Sequence, residues 1–370
     1  MPSFSGRKIG ALGAAAVALA TLTALAAPAT AAKDPGAWDK PGVPLDGQQH
    51  PDPSAVPFGQ LVVSSATQHG GADLPVIWSS NLKTWIARNI LPNYANLDGD
   101  KAGYFNDAIN NPAWGPYKSC TETASNRSGC DPKELWAPGF AFVKDHWVSY
   151  SAVKVSNSAR YSSYGRFAIY RATSATPFGM YSSVSKNPIV SSDKTKDPAG
   201  VLDPEVFVDQ SSKTKQPYLL YKTEGNKSGN YPTLWSRRLN SSGTSFASGS
   251  KPVKLLTVTR SRAWEGRVIE NPSMIKVNGK YLLFYSANDY PTSRYTTAYA
   301  ICKSGPSKPC SKPSDGRLLK STKGSYGPGG ADAFIDDRGR NLLIYHAFPG
   351  VSGTRGTGGR QPHVAEFTVG

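Results

Sequence analysis

The sequence predicts an all-β chain folded as a five-bladed β-propeller. Three observations carry that prediction: a pattern that recurs five times, turn signals in the middle of most copies, and a composition low in charge and rich in Gly and Pro. Of 370 residues, 36 are Gly and 29 are Pro, and charged residues make up 18%, where about 25% is usual. With 39% hydrophobic and 11% aromatic residues the chain can bury a core, which excludes disorder. The low charge excludes a coiled coil or a long helical bundle.

Each copy of the repeat opens on a polar or carboxylate residue, often beside Pro. It runs through a short apolar strand and a turn, then returns through aromatics towards Tyr-Ser or Tyr-His. The copies begin at Asp52 (DPSAVPFGQLVVSSA), Trp136 (WAPGFAFVKDHWVSYSA), Asp203 (DPEVFVDQSSKTKQPYLLYKT), Glu270 (ENPSMIKVNGKYLLFYSAN) and Gly330 (GADAFIDDRGRNLLIYHAF). Lys144-Asp145, Asn278-Gly279 and Arg338-Gly339 supply hairpin turns. A further strand follows each hairpin, at Leu74, Arg166, Thr233, Tyr295 and His363. The coils of a β-helix are far shorter than this period, and a pair of sandwiches would not need self-similar units. First strands line the axis of a propeller, so Asp52, Trp136, Asp203 and Glu270, read as one phase of the repeat, should converge on a single pocket.

Ahead of the repeat, residues 1–31 read as a secretory signal. Arg7 and Lys8 precede an Ala-rich apolar run, and Ala29-Thr30-Ala31 offers a small-x-small cleavage site. Residues 32–49 form a Pro/Gly-rich lead-in, and 50–370 a single propeller domain. A secreted protein without a membrane span is therefore expected, and a monomer. The formal charge is +16, but the basic residues are scattered, with Arg237-Arg238 and the series Lys303, Lys308, Lys312 the densest groups. Nucleic acid is not an expected partner. Two disulfides suit an exported chain with four cysteines. The local pairs Cys120–Cys130 and Cys302–Cys310 are favoured among three pairings because each closes a polar loop. The five histidines have no zinc-site spacing.

Three convergent carboxylates and an indole point to carbohydrate chemistry. Cleaving a glycosidic bond takes one carboxyl group as acid and a second as base or nucleophile. A third charge nearby raises the acid's pKa, and an indole suits the apolar face of a sugar. The ordered set of Asp52-Pro53, Trp136-Ala137-Pro138, Asp203-Pro204 through Asp209, Glu270 through Met274, Gly279 through Ser286 and Gly327-Pro328-Gly329 resembles glycoside hydrolase family 43, over about residues 50 to 370. The family comprises the inverting arabinanases, arabinofuranosidases and xylosidases of the five-bladed propeller group. The resemblance implies Asp52 as general base, Glu270 as general acid and Asp203 as the residue that orients that acid and modulates its pKa. It also implies a carboxyl separation of roughly 6.5 to 9.5 Å between Asp52 and Glu270. Trp136, Arg360 and His346 are the candidate sugar-binding residues.

Plainer roles stay open beside these. An Asp before Pro is most often a turn or cap residue. Glu270 could be a salt-bridged structural acid, Trp136 core packing, and His346 a satisfied inner-strand histidine. Asp73 competes for the base role, and Asp209 and Asp337 read as hairpin-turn residues. Two positions depart from the family pattern: Asn271 follows the acid where Gly or Ala is common, and Gly330 stands where the family usually has His. In many members that histidine holds a central hydrated calcium or a water network, so its loss counts against a central calcium, and no cofactor is expected to be required. His346 is the nearby candidate to replace it. The expected partner is a polysaccharide or oligosaccharide, with pentose linkages first. The alternatives are a non-catalytic polysaccharide-binding propeller, or the same pocket plan acting on a xyloside, galactoside or fructoside.

Overall fold

The computed structural model describes residues 30–31, 49–68, 74–87, 135–156, 166–179, 181–191, 200–225, 231–351, 354–355 and 358–369. Five four-stranded antiparallel sheets form the five blades of a propeller. Blade one begins at Ser54–Phe58, blade two at Leu135–Val143, blade three at Val201–Asp209, blade four at Ile269–Val277 and blade five at Tyr326–Ile335. The hairpin partners of these first strands are Leu61–Ser65, His146–Ser156, Gln216–Thr223, Lys280–Ala287 and Asn341–Phe348. The third strands all fall where the sequence places them, from Val76–Ser79 to Gln361–Thr368. Left-handed backbone at Lys144, Asn278, Gly279 and Gly339 makes the tight turns. The fourth strand of blade five is Thr30–Ala31, beside Phe367 and Thr368, within the segment assigned to the signal.

Apolar side chains fill the seams between blades. Val63 and Val76 of blade one meet Phe140 and Trp147 of blade two; Val148 and Ile169 meet Val206 and Leu219 of blade three. Leu220 and Leu234 then meet Met274 and Leu283, and Phe284 meets Tyr345 and Phe367. The last seam closes the ring, with Phe334 and Ile344 of blade five against Ile77 and Trp85 of blade one. Cys302 and Cys310 form a disulfide, whereas Cys120 and Cys130 lie outside the described residues.

The sequence reading of the axial phase needs one correction. In every blade a residue with φ between 43° and 59° stands at the mouth of the first strand: Asp52, Ala137, Asp203, Asn271 and Gly330. Trp136 and Glu270 therefore sit one position before the residues equivalent to Asp52 and Asp203. Blades two to five carry a β-bulge at this point, and in blades one to four a Pro follows, whose missing N–H a bulge tolerates.

The bulges are stitched from blade to blade. Asp52 N–H donates to His346 Nδ1 (2.9 Å), Ala137 N–H to Thr67 Oγ1 (2.8 Å) and Gly330 N–H to Ser286 Oγ (2.7 Å). Each acceptor lies on or just past the second strand of the preceding blade. The same register position is Ala152 in blade two and Lys222 in blade three. Lysine has no lone pair to offer when charged, and Asn271 N–H is taken instead by Asp203 Oδ2 at 3.0 Å. One turn deeper, Phe140 N–H bonds Ser54 Oγ, Ala333 N–H bonds Ser273 Oγ and Ala55 N–H bonds Asp332 Oδ2. Two tiers of hydrogen bonds thus tie neighbouring blades around the axis, the outer at four of the five junctions and the deeper at three.

Candidate active site

The bulges border an open cleft whose lining includes Asp52, Asp203, Asn271 and Gly330. Asp52 owes its place to left-handed backbone, a conformation Asp tolerates better than most residues. Its carboxylate is clamped from two sides. Thr67 Oγ1 donates to Oδ2 at 2.8 Å, and Arg360 Nη1 lies 3.0 and 3.1 Å from the two oxygens. Each carboxylate oxygen has two acceptor sites, so Oδ1, bonded to Arg360 alone, keeps one for a water.

Glu270 has both oxygens engaged. Tyr295 Oη donates to Oε1 at 2.7 Å, and Lys222 Nζ meets Oε2 at 2.9 Å. The Lys222 side chain is 2% exposed and also holds Glu224 at 2.6 Å. Burial works against the Lys222 charge, but Glu224, Glu270 and Asp203 together hold it above the ordinary lysine range. Burial pushes the Asp203 carboxyl up to about 7, with Lys222 opposing and the charges of Glu270 and Asp52 adding to the rise. Asp203 therefore carries a proton on the acid side of neutrality and a charge on the alkaline side. Asp203 thus feels the charges of both other carboxylates, an arrangement suited to a glycosidase site.

The other candidates divide. Arg360 is on the site, but its contacts are with Asp52 and with the ring of Tyr290, 5.0 Å away. Trp136 is half-buried against Phe167, with ring centroids 4.4 Å apart, and like Glu270 and Arg360 it stands outside the residues that line the cleft. His346 is fully buried: its ring stacks on Tyr295 and its Nδ1 holds the Asp52 amide. The sugar contact expected of His346 is thus replaced by a hold on the backbone of Asp52. Asp209 is a turn residue that accepts from Ser211 and Tyr281, and Asp73 lies outside the described residues.

The residues around Gly330 do not fit a histidine-held central metal. A Cβ at Gly330 would come 2.5 Å from His346 Nδ1, and one at Gly329 would come 2.0 Å from the Tyr295 ring. These two glycines leave room for His346 and Tyr295, so a side chain at position 330 is excluded while they are in place. Burial holds His346 neutral, well below the usual histidine range. Because Nδ1 accepts from Asp52, the proton sits on Nε2, which then has no lone pair for a cation. No group of three His, Cys, Asp or Glu side chains suited to a metal is found among the described residues. Gly330→Ala should accordingly lower stability by about 3 kcal/mol, combining left-handed strain with overpacking; the drop in the thermal unfolding midpoint measures it.

Sequence reasoning missed Lys222, Tyr295, Thr67, Glu205 and Asp332. Lys222 was detectable as the one charge within the apolar run PYLLY-K-T. Asp332 and Glu205 occupy the deeper tier, where burial raises Asp332 to about 6 and Glu205 well above its ordinary value; only the bulge register reveals them.

The five-bladed fold and membership of its family together make the protein an inverting glycoside hydrolase. The model of the glycosyl hydrolases family 43 matches residues 42–370, and the chain belongs to that family. Among solved structures, a thermostable family-43 glycoside hydrolase superposes with a TM-score of 0.66 at 20% identity, over 90% of this chain and 95% of the other. An α-L-arabinofuranosidase from Lactobacillus brevis gives 0.60 at 17% identity, over 89% and 93%. An endo-arabinanase from Bacillus licheniformis gives 0.58 at 17%, over 89% and 96%. No curated protein matches the chain by sequence.

Proposed function

We propose that the protein is a secreted enzyme that hydrolyses α-L-arabinofuranosyl or related pentose linkages in polysaccharide. Asp52 activates the water, Glu270 protonates the leaving oxygen, and Asp203 orients Glu270 and biases its charge. One observation supports this reading above the rest. The two terminal carboxyl groups are held in opposite ways, Asp52 by a guanidinium and a hydroxyl, Glu270 by a phenol and a buried ammonium. Two carboxyls kept in unlike surroundings are what divides the work of acid and base. The pentose preference rests on the family and on the arabinan-active proteins among its structural neighbours. The enzyme works as a monomer and needs no cofactor.

The test is a panel of para-nitrophenyl pentosides, galactosides and fructosides together with arabinan and xylan, with proton NMR of the first product. Cleavage of an arabinofuranoside to the β-anomer is expected. Activity confined to galactosides or fructosides would overturn the pentose assignment.

A further inference from the structure

The most unusual group near the cleft is one to which the proposed chemistry gives no role of its own. Lys222 stands at the register position that Thr67, Ser286 and His346 hold around blades one, four and five, where each accepts a bulge N–H from the next blade. A lysine at that position gives up the acceptor and buries a cation, which is unfavourable unless the charge is paired. Its Nζ is paired twice, with Glu270 in the next blade at 2.9 Å and with Glu224 of its own blade at 2.6 Å. Asp203 lies within Coulomb reach. Tyr295 Oη occupies the other Glu270 oxygen and Asn271 Oδ1. Held in this way, Glu270 has a donor on each oxygen, whereas a general acid must begin its step protonated.

We propose that Lys222 is a positioning residue for the reaction, and that by dividing its charge between Glu270 and Glu224 it sets the pH at which Glu270 gives up its proton. The proposal rests on Glu270 being the acid. Glu224 is the counterweight: the more of the ammonium it draws, the more readily Glu270 keeps a proton. The groups facing the pair are Asp203, Glu224 and Tyr295, with Asp52, Arg360 and His346 beyond Tyr295. The two partners of Lys222 predict opposite shifts. Removing the charge of Glu224 leaves the ammonium wholly to Glu270 and favours its carboxylate. Removing the charge of Lys222 leaves Glu270 beside Asp203 and Glu224 with no cation between them, and favours its protonated form.

Carbon-13 NMR of the glutamate side-chain carboxyls reads this directly. The chain has only seven glutamates, and the Glu270 signal is the one absent from Glu270→Gln. Its titration midpoint should fall by about one pH unit in Glu224→Gln and rise by about one unit in Lys222→Met; Lys222→Arg should restore it. The alkaline limb of the rate profile should move with the midpoint. A midpoint unmoved or raised in Glu224→Gln overturns the proposal, and that arm decides alone if Lys222→Met does not fold, because Glu224 is 26% exposed and tolerates replacement. If Glu270→Gln keeps its full rate on a sugar leaving group, the assignment of Glu270 as acid fails, whatever the midpoints show.

Discussion

Asp52→Asn should lose about a thousandfold in kcat/KM on every substrate, within the range that general-base catalysis supplies. The amide has the shape of the carboxylate and keeps one oxygen for Arg360 or Thr67, so the clamp that positions it is largely retained. What it cannot do is take a proton from water. The loss should be the same for a para-nitrophenyl glycoside and for an oligosaccharide, because water attack is needed whatever leaves. It should fall on kcat more than on KM, since an interaction realised only in the transition state is the one removed. A variant retaining more than about a tenth of the rate on both substrates would remove Asp52 from the base role.

Glu270→Gln should show the complementary pattern. On an oligosaccharide, whose leaving alcohol must be protonated, a loss of about a thousandfold is expected; on para-nitrophenyl glycosides, whose phenolate leaves unaided, about tenfold or less. The ratio of the two losses separates a missing acid from a misfolded site, because misfolding would lower both alike. In this variant the carboxamide oxygen still accepts from Tyr295, while Lys222 keeps Glu224 as its partner. Equal losses on the two substrates would argue that Glu270 is structural.

The sequence displays the fold well because a propeller repeats itself. Five hairpins, three of them with turn residues at Lys144-Asp145, Asn278-Gly279 and Arg338-Gly339, announce five units, and a further strand follows each. The carboxylates are legible for the same reason, since Asp52, Asp203 and Glu270 open the first, third and fourth copies. What the repeat conceals is the bulge. A register that slips by one residue where the backbone turns left-handed cannot be read from alternation, so Glu270 aligns by motif with Asp203 and by geometry with Leu202. Contacts between blades are concealed too. That His346 would meet the Asp52 amide, 294 residues away, or that Lys222 would reach Glu270, depends on ring closure and not on any local pattern. Gly330 shows how a departure can mislead: it reads as a lost ligand, and in the structure it is the space His346 needs.

The stitching between blades also orders events in time. The general base proposed here belongs to the first blade, yet the nitrogen that receives its amide and the guanidinium that clamps its carboxylate come from His346 and Arg360, in the last. A chain growing from its N-terminus can fold four blades and still hold Asp52 with neither partner. Both reach Asp52 only when the fifth blade docks on the first, so its hold is complete only once the ring has closed.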